Sequence, residues 1–194
     1  MFKKAFKLSA FVMCMMLGIT GCGEVQQQPA PEDVSVKVEM EDGSYFIMEL
    51  YPQYAPETVK NFVDLANSGF YNGLTFHRIV PGFVIQGGSH DGTGTGGSGK
   101  NIKGEFSQNG FEGNTLSHEK GVVSMARVPD DYNSASSQFF VCLDDFPHLD
   151  GGYAAFGKVI EGMDTVEKIA SERTDLSDKP LTPVVMKNVT VISE

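Results

Sequence analysis

The chain has 194 residues and carries 15 Lys and Arg against 25 Asp and Glu, a formal net charge of −10. This acidic balance argues against a nucleic-acid partner, because binding to phosphate backbones requires clustered basic side chains. Hydrophobic residues make up 41% of the chain, which is enough to build a core of one domain.

The N-terminus resembles an export signal. Residues 1–21 begin with Lys3, Lys4 and Lys7 and continue with an apolar run from Leu8 to Ile19, as a secretory signal peptide does. That run is shorter than the ~20 residues that span a bilayer. The segment ends in Ile-Thr-Gly followed by Cys22, which resembles the bacterial lipobox, in which the cysteine is lipidated and becomes the first residue. An ordinary signal peptide or an uncleaved anchor are the alternatives.

Residues 22–33 are expected to form the lipidated cysteine and a flexible tether, because they contain two prolines and almost nothing apolar. Removal of residues 1–21 leaves 12 basic against 25 acidic residues, a net charge of −13. Acyl chains, rather than charge, would therefore hold the protein to a membrane. The expected location is the extracytoplasmic face of the cell membrane.

Residues 34–194 are predicted to form one domain that is rich in β-structure. Residues 34–40 and 45–51 alternate in polarity around a turn and predict a hairpin. Pro56 opens a helix with an apolar stripe, and Gly69 ends it. Further strands are predicted near residues 75–80, 83–87, 121–126, 138–142, 154–159 and 184–192, with a second helix over 164–171.

Short strands joined by glycine-rich connections predict a mainly β fold, a closed barrel with the helices at its ends. Cys142 lies in an apolar run and is predicted to be a buried small hydrophobe. With Cys14 removed and Cys22 lipidated, no intramolecular disulfide is expected. The acidic domain gives no reason to expect an oligomer, so a monomer is the expectation.

Three segments carry the most specific pattern. Residues 76–88 read FHRIVPGFVIQGG, residues 124–127 read SMAR, and residues 137–140 read SQFF. Together with LDG at 149–151 and AFGKV at 155–159, they resemble the cyclophilin family of peptidyl-prolyl cis-trans isomerases over about residues 34–193. The resemblance implies a closed eight-stranded antiparallel barrel capped by two α-helices. It also implies proline-containing unfolded or exported polypeptides as substrates, and no cofactor.

The resemblance assigns roles to individual positions. Arg78 corresponds to the catalytic arginine, Gln86 to the glutamine that positions it, and Phe83 to part of the proline pocket. The remaining substrate-binding positions are Phe76, Val84, Ala126, Arg127, Gln138, Phe140, His148, Leu149 and Tyr153. Of these, Ala126 and Arg127 correspond to residues that bind the peptide through their backbone.

These residue types suit the reaction. Rotation about a peptide bond crosses a barrier of ~18–20 kcal/mol because amide resonance must be broken. The twisted imide nitrogen recovers a lone pair, and a guanidinium donor aimed at it stabilises the twisted state more than the planar one. Arginine also stays charged at every relevant pH.

The chain departs from the best-known eukaryotic cyclophilins at the pocket rim. His148 stands where those proteins have a tryptophan, Tyr153 where they have a histidine, and Val84 where a methionine is usual. The connection between Arg127 and Ser136 is also two residues longer. These departures predict weak inhibition by the macrocycle cyclosporin, which uses the tryptophan.

Several other interpretations remain open on the residues alone. Arg78 could be a surface arginine in an ion pair, and Phe83 and Phe140 could be core residues. The chain could also be a proline-recognising binding module or holdase chaperone whose isomerase activity is incidental. Arg78 beside Gln86 favours the isomerase, because peptide binding alone does not require that charged donor.

Residues 92–97 match GxGxxG, but no helical period follows them, so a nucleotide site is not predicted. The resemblance to cyclophilins implies instead a flexible loop that borders the peptide groove. The four histidines show no ligand spacing, so a metal site is not predicted. A nucleophile–base pair of Cys142 and His148 is disfavoured by the apolar run around the cysteine.

Overall fold

The computed structural model describes residues 32–192. The predicted signal peptide, Cys22 and all but the last two residues of the predicted tether lie outside the described residues. Within them no helix is long and apolar enough to cross a membrane. The described residues form eight strands and two α-helices: β1 Val34–Met40, β2 Tyr45–Leu50, α1 Pro56–Asn67, β3 Phe76–Val80, β4 Val84–Gly87, β5 Val122–Met125, β6 Phe139–Cys142, β7 Ala155–Glu161, α2 Met163–Ala170 and β8 Met186–Ile192.

All eight strands belong to one antiparallel sheet in the order β3-β4-β6-β5-β7-β2-β1-β8. The mainly β fold, the eight antiparallel strands and the two helices are therefore confirmed. The strands were predictable because each alternates between core and surface, or is apolar throughout where both of its faces are covered.

The prediction of a closed barrel was wrong, because the sheet is open between its outer strands β3 and β8. The bridge between Thr75 and Val185 and the backbone hydrogen bonds beside it join only the start of β3 to the start of β8. Further along β3, the outer edge is occupied by another segment, and the Ile79 amide donates to the Asp178 carbonyl at 2.8 Å. Since the edge of β3 is paired with a loop, β8 cannot close the ladder there.

The two helices bury their apolar faces against the sheet. Helix α1 begins at Pro56, whose missing N–H is harmless in the first turn. The carboxylate of buried Glu105 accepts hydrogen bonds from the Glu57 and Thr58 amides at 3.0 and 2.8 Å, which satisfies free donors at the start of α1. Helix α2 follows Gly162, where a φ of +78° and contact with the Tyr45 carbonyl leave no room for a side chain.

The main core lies between the sheet and α1. Its centre is a group of aromatic rings in which Phe62 stacks on Tyr71 at 4.7 Å and meets Phe139 edge-on at 5.4 Å between ring centroids. A smaller second cluster lies on the opposite face of the sheet and consists of Val84, Phe140, Cys142 and Leu149. Cys142 is fully buried, as predicted, and burial raises the pKa of its thiol to about 12. The second cluster is the floor of the candidate site.

Candidate active site

A cavity of about 170 Å³ opens above the second cluster. Strands β4 and β6 supply its floor through Val84 and Phe140, which lie on the same face of these neighbouring strands. The cavity also contains most of the side chains that the sequence predicted for the site: Arg78, Phe83, Gln86, Ala126, Arg127, Leu149 and Tyr153. Aromatic and aliphatic walls of this size suit a small apolar ring such as a prolyl side chain.

Arg78 projects into this cavity from β3. Its guanidinium is held from two sides: Nη1 donates to Gln86 Oε1 at 3.4 Å, and Nη2 lies 3.5 Å from Asp178 Oδ2. Gln86 lies opposite Arg78 in the β3–β4 ladder, so the strand register itself brings the two side chains together. The Arg78 side chain is 40% exposed, which leaves it within reach of a ligand.

A chain of amide hydrogen bonds connects Gln86 to the glycine-rich loop, residues 89–97. Gln86 Nε2 donates to Gln138 Oε1 at 3.0 Å, and Gln138 Nε2 donates to the carbonyls of Gly94 and Gly96, each at 2.9 Å. The loop in turn folds around Asp91, whose carboxylate accepts from Ser89, Thr93 and Gly96. These hydrogen bonds hold the pKa of Asp91 well below its usual range.

The glycine-rich loop, residues 89–97, does not open a helix after a strand, so it lacks the context in which GxGxxG binds phosphate. It instead lines a second cavity of about 680 Å³, which adjoins the first and shares Gln86, Ala126 and Arg127 with it. The loop therefore borders the groove, as the sequence predicted.

Arg127 acts mainly within the protein. Its Nε donates to the Gly152 carbonyl at 2.9 Å, and its Nη1 donates to the carbonyls of Val128 and Pro129. The guanidinium also lies over the Tyr153 ring at 4.5 Å. Its side chain thus braces the groove wall, and the predicted peptide contact is one made by its backbone. The Ala126 amide donates to the Gln138 carbonyl at 2.9 Å, so its carbonyl is the group left for a peptide.

The rim of the first cavity is aromatic. His148 is exposed on the short 3₁₀ turn Pro147–Leu149 and stacks on Phe83, with 6.3 Å between ring centroids. Phe146 meets Phe83 edge-on at 4.9 Å, a contact that the sequence did not predict. Tyr153 meets Phe140 edge-on at 5.8 Å on the other side of the pocket.

A buried histidine connects the floor of the pocket to this turn. His118 Nδ1 lies 2.8 Å from Asp150 Oδ1, its Nε2 lies 3.0 Å from Ser124 Oγ, and its ring stacks on Phe140. Burial lowers the pKa of His118, while the Asp150 carboxylate opposes that shift. The contacts fit a neutral ring that donates to Asp150 and accepts from Ser124. Ser124 and the His118 ring are buried, so neither is accessible to a substrate.

Phe76 is not part of the groove. Its side chain is fully buried in the main core and packs against Phe46 and Phe139. The prediction that it contacts substrate is therefore corrected. In a regular strand Phe76 and Arg78, which are two residues apart, would lie on the same face. A register irregularity between them in β3, which sequence patterns do not reveal, allows Phe76 to face the core while Arg78 faces the cavity.

Asp178 is a residue of the site that the sequence analysis missed. It follows Arg78 by 100 positions and lies in a polar segment without a motif, so only the folded structure brings the two together.

Among residues 32–192, no group of three or more His, Cys, Asp or Glu side chains has the geometry of a metal site.

Comparisons with known proteins agree with this geometry. Residues 35–191 match the family described as cyclophilin type peptidyl-prolyl cis-trans isomerase/CLD. Peptidyl-prolyl cis-trans isomerase B of Bacillus subtilis (strain 168) is 49% identical over 132 residues, which cover 68% of this chain and 87% of that protein. An isomerase of Helicobacter pylori (strain 26695) is 42% identical over 148 residues, which cover 75% of this chain and 86% of that protein.

Solved structures give the same result for the fold. A cyclophilin-type peptidyl-prolyl cis-trans isomerase of Cryptosporidium parvum superposes with a TM-score of 0.76 at 32% identity, covering 84% of this chain and 99% of the other. A second structure of that protein, in the presence of the dipeptide Ala-Pro, has a TM-score of 0.74, also at 32% identity, and covers 82% of this chain and 99% of the other. The chain therefore belongs to the cyclophilin family and is a peptidyl-prolyl cis-trans isomerase.

Proposed function

We propose that this isomerase accelerates prolyl isomerisation by directing the Arg78 guanidinium at the twisted X-Pro imide bond. The observation that carries the proposal is the position of Arg78, which projects beside an apolar cavity with both guanidinium ends held. A donor held in this way is already oriented before the bond twists. It can therefore stabilise the twisted transition state more than the planar ground state.

The apolar floor supplies the second part of the mechanism. Phe83, Phe140 and Leu149 hold the proline ring while the other side of the imide bond rotates. The reaction requires no proton transfer and no covalent intermediate, because only a rotation about a partial double bond takes place. The Cryptosporidium relative studied with Ala-Pro supports a proline-containing peptide as the ligand of this groove.

The adjoining cavity lined by the glycine-rich loop would receive residues that precede the proline. Its wall offers mainly backbone groups and small side chains from residues 94–101 and 126–138. Such a surface fits an extended peptide of varied sequence, since backbone contacts do not discriminate strongly between side chains. This suits an enzyme that acts on many unfolded chains.

We further propose that the enzyme works on exported proteins as a monomer anchored to the extracytoplasmic face of the cell membrane through lipidated Cys22. The support is the basic and apolar signal at residues 1–21, the lipobox-like ending and the polar segment over 22–33. Proline isomerisation takes tens of seconds or more without a catalyst, which is slow enough to delay the folding of newly exported chains.

The test of the mechanism compares Arg78→Ala with the wild-type protein in a prolyl isomerisation assay on a short X-Pro peptide. We expect kcat/KM to fall by about 100-fold, as for loss of one transition-state donor. Arg173→Ala, which removes an exposed arginine outside the cavity, is the matched control and should retain wild-type activity. An Arg78→Ala variant as active as wild type would refute the mechanism.

A further inference from the structure

We infer that Asp178 is a positioning residue for Arg78, and that their ion pair contributes to turnover. The inference rests on the proposed role of Arg78. It starts from the shared guanidinium: Gln86 accepts from Nη1, whereas Asp178 lies 3.5 Å from Nη2. Two partners at different nitrogens restrict rotation of the planar guanidinium group in a way that one partner cannot.

The backbone at Asp178 is fixed in an unusual conformation. Its φ of +63° makes it the one residue other than glycine with positive φ among residues 32–192. Residues with a Cβ adopt this region rarely, and Asp and Asn tolerate it better than most. Such conformations persist only where the surroundings enforce them, and they concentrate at functional sites.

The surroundings that enforce it are visible. The Asp178 carbonyl accepts from the Ile79 amide at 2.8 Å, directly after Arg78 in β3, and the Asp178 amide donates to the Asp175 carbonyl at 3.1 Å. The Asp175 side chain then accepts from the amides of Ser177 and Lys179 at 2.8 and 3.1 Å. Residues 174–180 therefore form a tight hairpin that is registered on β3 and delivers the Asp178 carboxylate to Arg78.

An ordinary surface ion pair offers no comparable arrangement. Lys60 and Asp64, for example, face each other on α1 at 2.6 Å, with side chains 74% and 63% exposed. Such pairs contribute little because solvent and salt screen them. The Arg78–Asp178 pair is also exposed to solvent, at 40% and 41%, so its effect on turnover should itself depend on salt. A salt-dependent kcat would distinguish electrostatic positioning by Asp178 from a purely structural role of this residue.

The test uses the full-length protein with an uncharged X-Pro peptide, and measures kcat and KM for the wild type, Asp178→Asn and Asp178→Gly. Both replacements accept positive φ, so each removes the carboxylate without straining the hairpin. Ionic strength is varied from about 0.01 to about 1 M, over which the Debye length falls from ~30 to ~3 Å.

We expect kcat of both variants to lie about two- to fivefold below wild type at low salt, with KM within about twofold, as suits a weak exposed pair. Raising the salt concentration should bring wild-type kcat down toward that of the variants, and should leave theirs unchanged. Asp64→Asn, which removes the carboxylate of the α1 pair, should behave as wild type at every salt concentration.

Variants that match wild-type kcat at both salt extremes, or that exceed it, would overturn the inference. Variants that lose activity but keep the wild-type salt dependence would also overturn it. Arg78→Ala separates this inference from the mechanism beneath it. An inactive Arg78→Ala beside wild-type-like Asp178 variants rejects only the role of Asp178, whereas a fully active Arg78→Ala rejects the mechanism as well.

Discussion

At the scale of single residues, the site shows how burial and hydrogen bonding divide similar side chains between different tasks. Arg78 and Arg127 both line the cavity, but Arg78 is held by two side chains, Gln86 and Asp178. The Arg127 guanidinium donates hydrogen bonds to three backbone carbonyls and lies over the Tyr153 ring. The resemblance in sequence predicted catalysis for Arg78 and peptide binding for Arg127, but the bracing role of the Arg127 side chain required the structure.

Protonation of His118 should change the free energy of unfolding. Because burial lowers its pKa in the folded state, the unfolded chain binds more protons near pH 6.5 and below. The contribution of His118 to stability is therefore complete above that pH and is lost as the pH falls. Since the folded pKa is the lower one, the free energy of unfolding should decrease from pH 7 to pH 5.

The experiment is urea unfolding of the wild type and His118→Gln at pH 7 and pH 5. We expect a smaller loss on acidification in the variant, by at most about 1.4 kcal/mol per pH unit, the limit for one proton. Burial also lowers the pKa of His77, so some loss remains in the variant. An equal loss in the two proteins would show that His118 does not titrate in this way.

At the scale of elements, the strands and helices were largely predictable, because alternation, turn residues and a helix-opening proline are local signals. Helix α1 begins at Pro56 as predicted, and α2 spans 163–170 where 164–171 was predicted. Barrel closure could not be predicted in the same way. Whether β3 pairs with β8 or with the 174–180 hairpin depends on contacts between segments about a hundred residues apart.

Gln138, which directly precedes β6, should couple the glycine-rich loop to Gln86 and thereby to the orientation of Arg78. Its amide bonds to Gln86 on one side and to two loop carbonyls on the other. Replacement by alanine removes three hydrogen bonds, each of which contributes ~0.5–1.5 kcal/mol. We expect Gln138→Ala to lower kcat/KM by about tenfold, which corresponds to about 1.4 kcal/mol of transition-state stabilisation.

The assay is the isomerisation of the same X-Pro peptide, with thermal unfolding to show that Gln138→Ala remains folded. Gln108→Ala is a suitable control, because Gln108 is exposed and its side chain accepts a long hydrogen bond, 3.4 Å, from the Tyr132 hydroxyl. If Gln138→Ala kept full activity, Gln86 would be able to orient Arg78 without the loop.

At the scale of the whole molecule, we propose different roles for the acidic domain and the N-terminal region. The net charge of −10 gives the protein no electrostatic attraction to an anionic membrane, so the proposed attachment would depend on acyl chains. We predict that Cys22→Ser, expressed in a bacterial host, moves the protein from the membrane fraction to the soluble fraction. Its intact mass should lack the mass of the lipid.

Cys14→Ser is the control for this change, because Cys14 lies within the predicted signal peptide and should be absent from the mature protein. This variant should remain at the membrane with an unchanged mass. A Cys22→Ser protein that stayed membrane-bound would point instead to an uncleaved apolar anchor at residues 1–21.

The central claim is that Arg78 acts on the twisted bond rather than on ground-state binding. The most direct measurement is exchange NMR on an X-Pro peptide, which gives the cis–trans exchange rate on the enzyme and the peptide Kd from the same samples. For Arg78→Ala we predict an exchange rate about 100-fold lower than that of wild type, with Kd changed by less than about threefold. An unchanged exchange rate, or a loss of activity explained entirely by weaker peptide binding, would contradict the account.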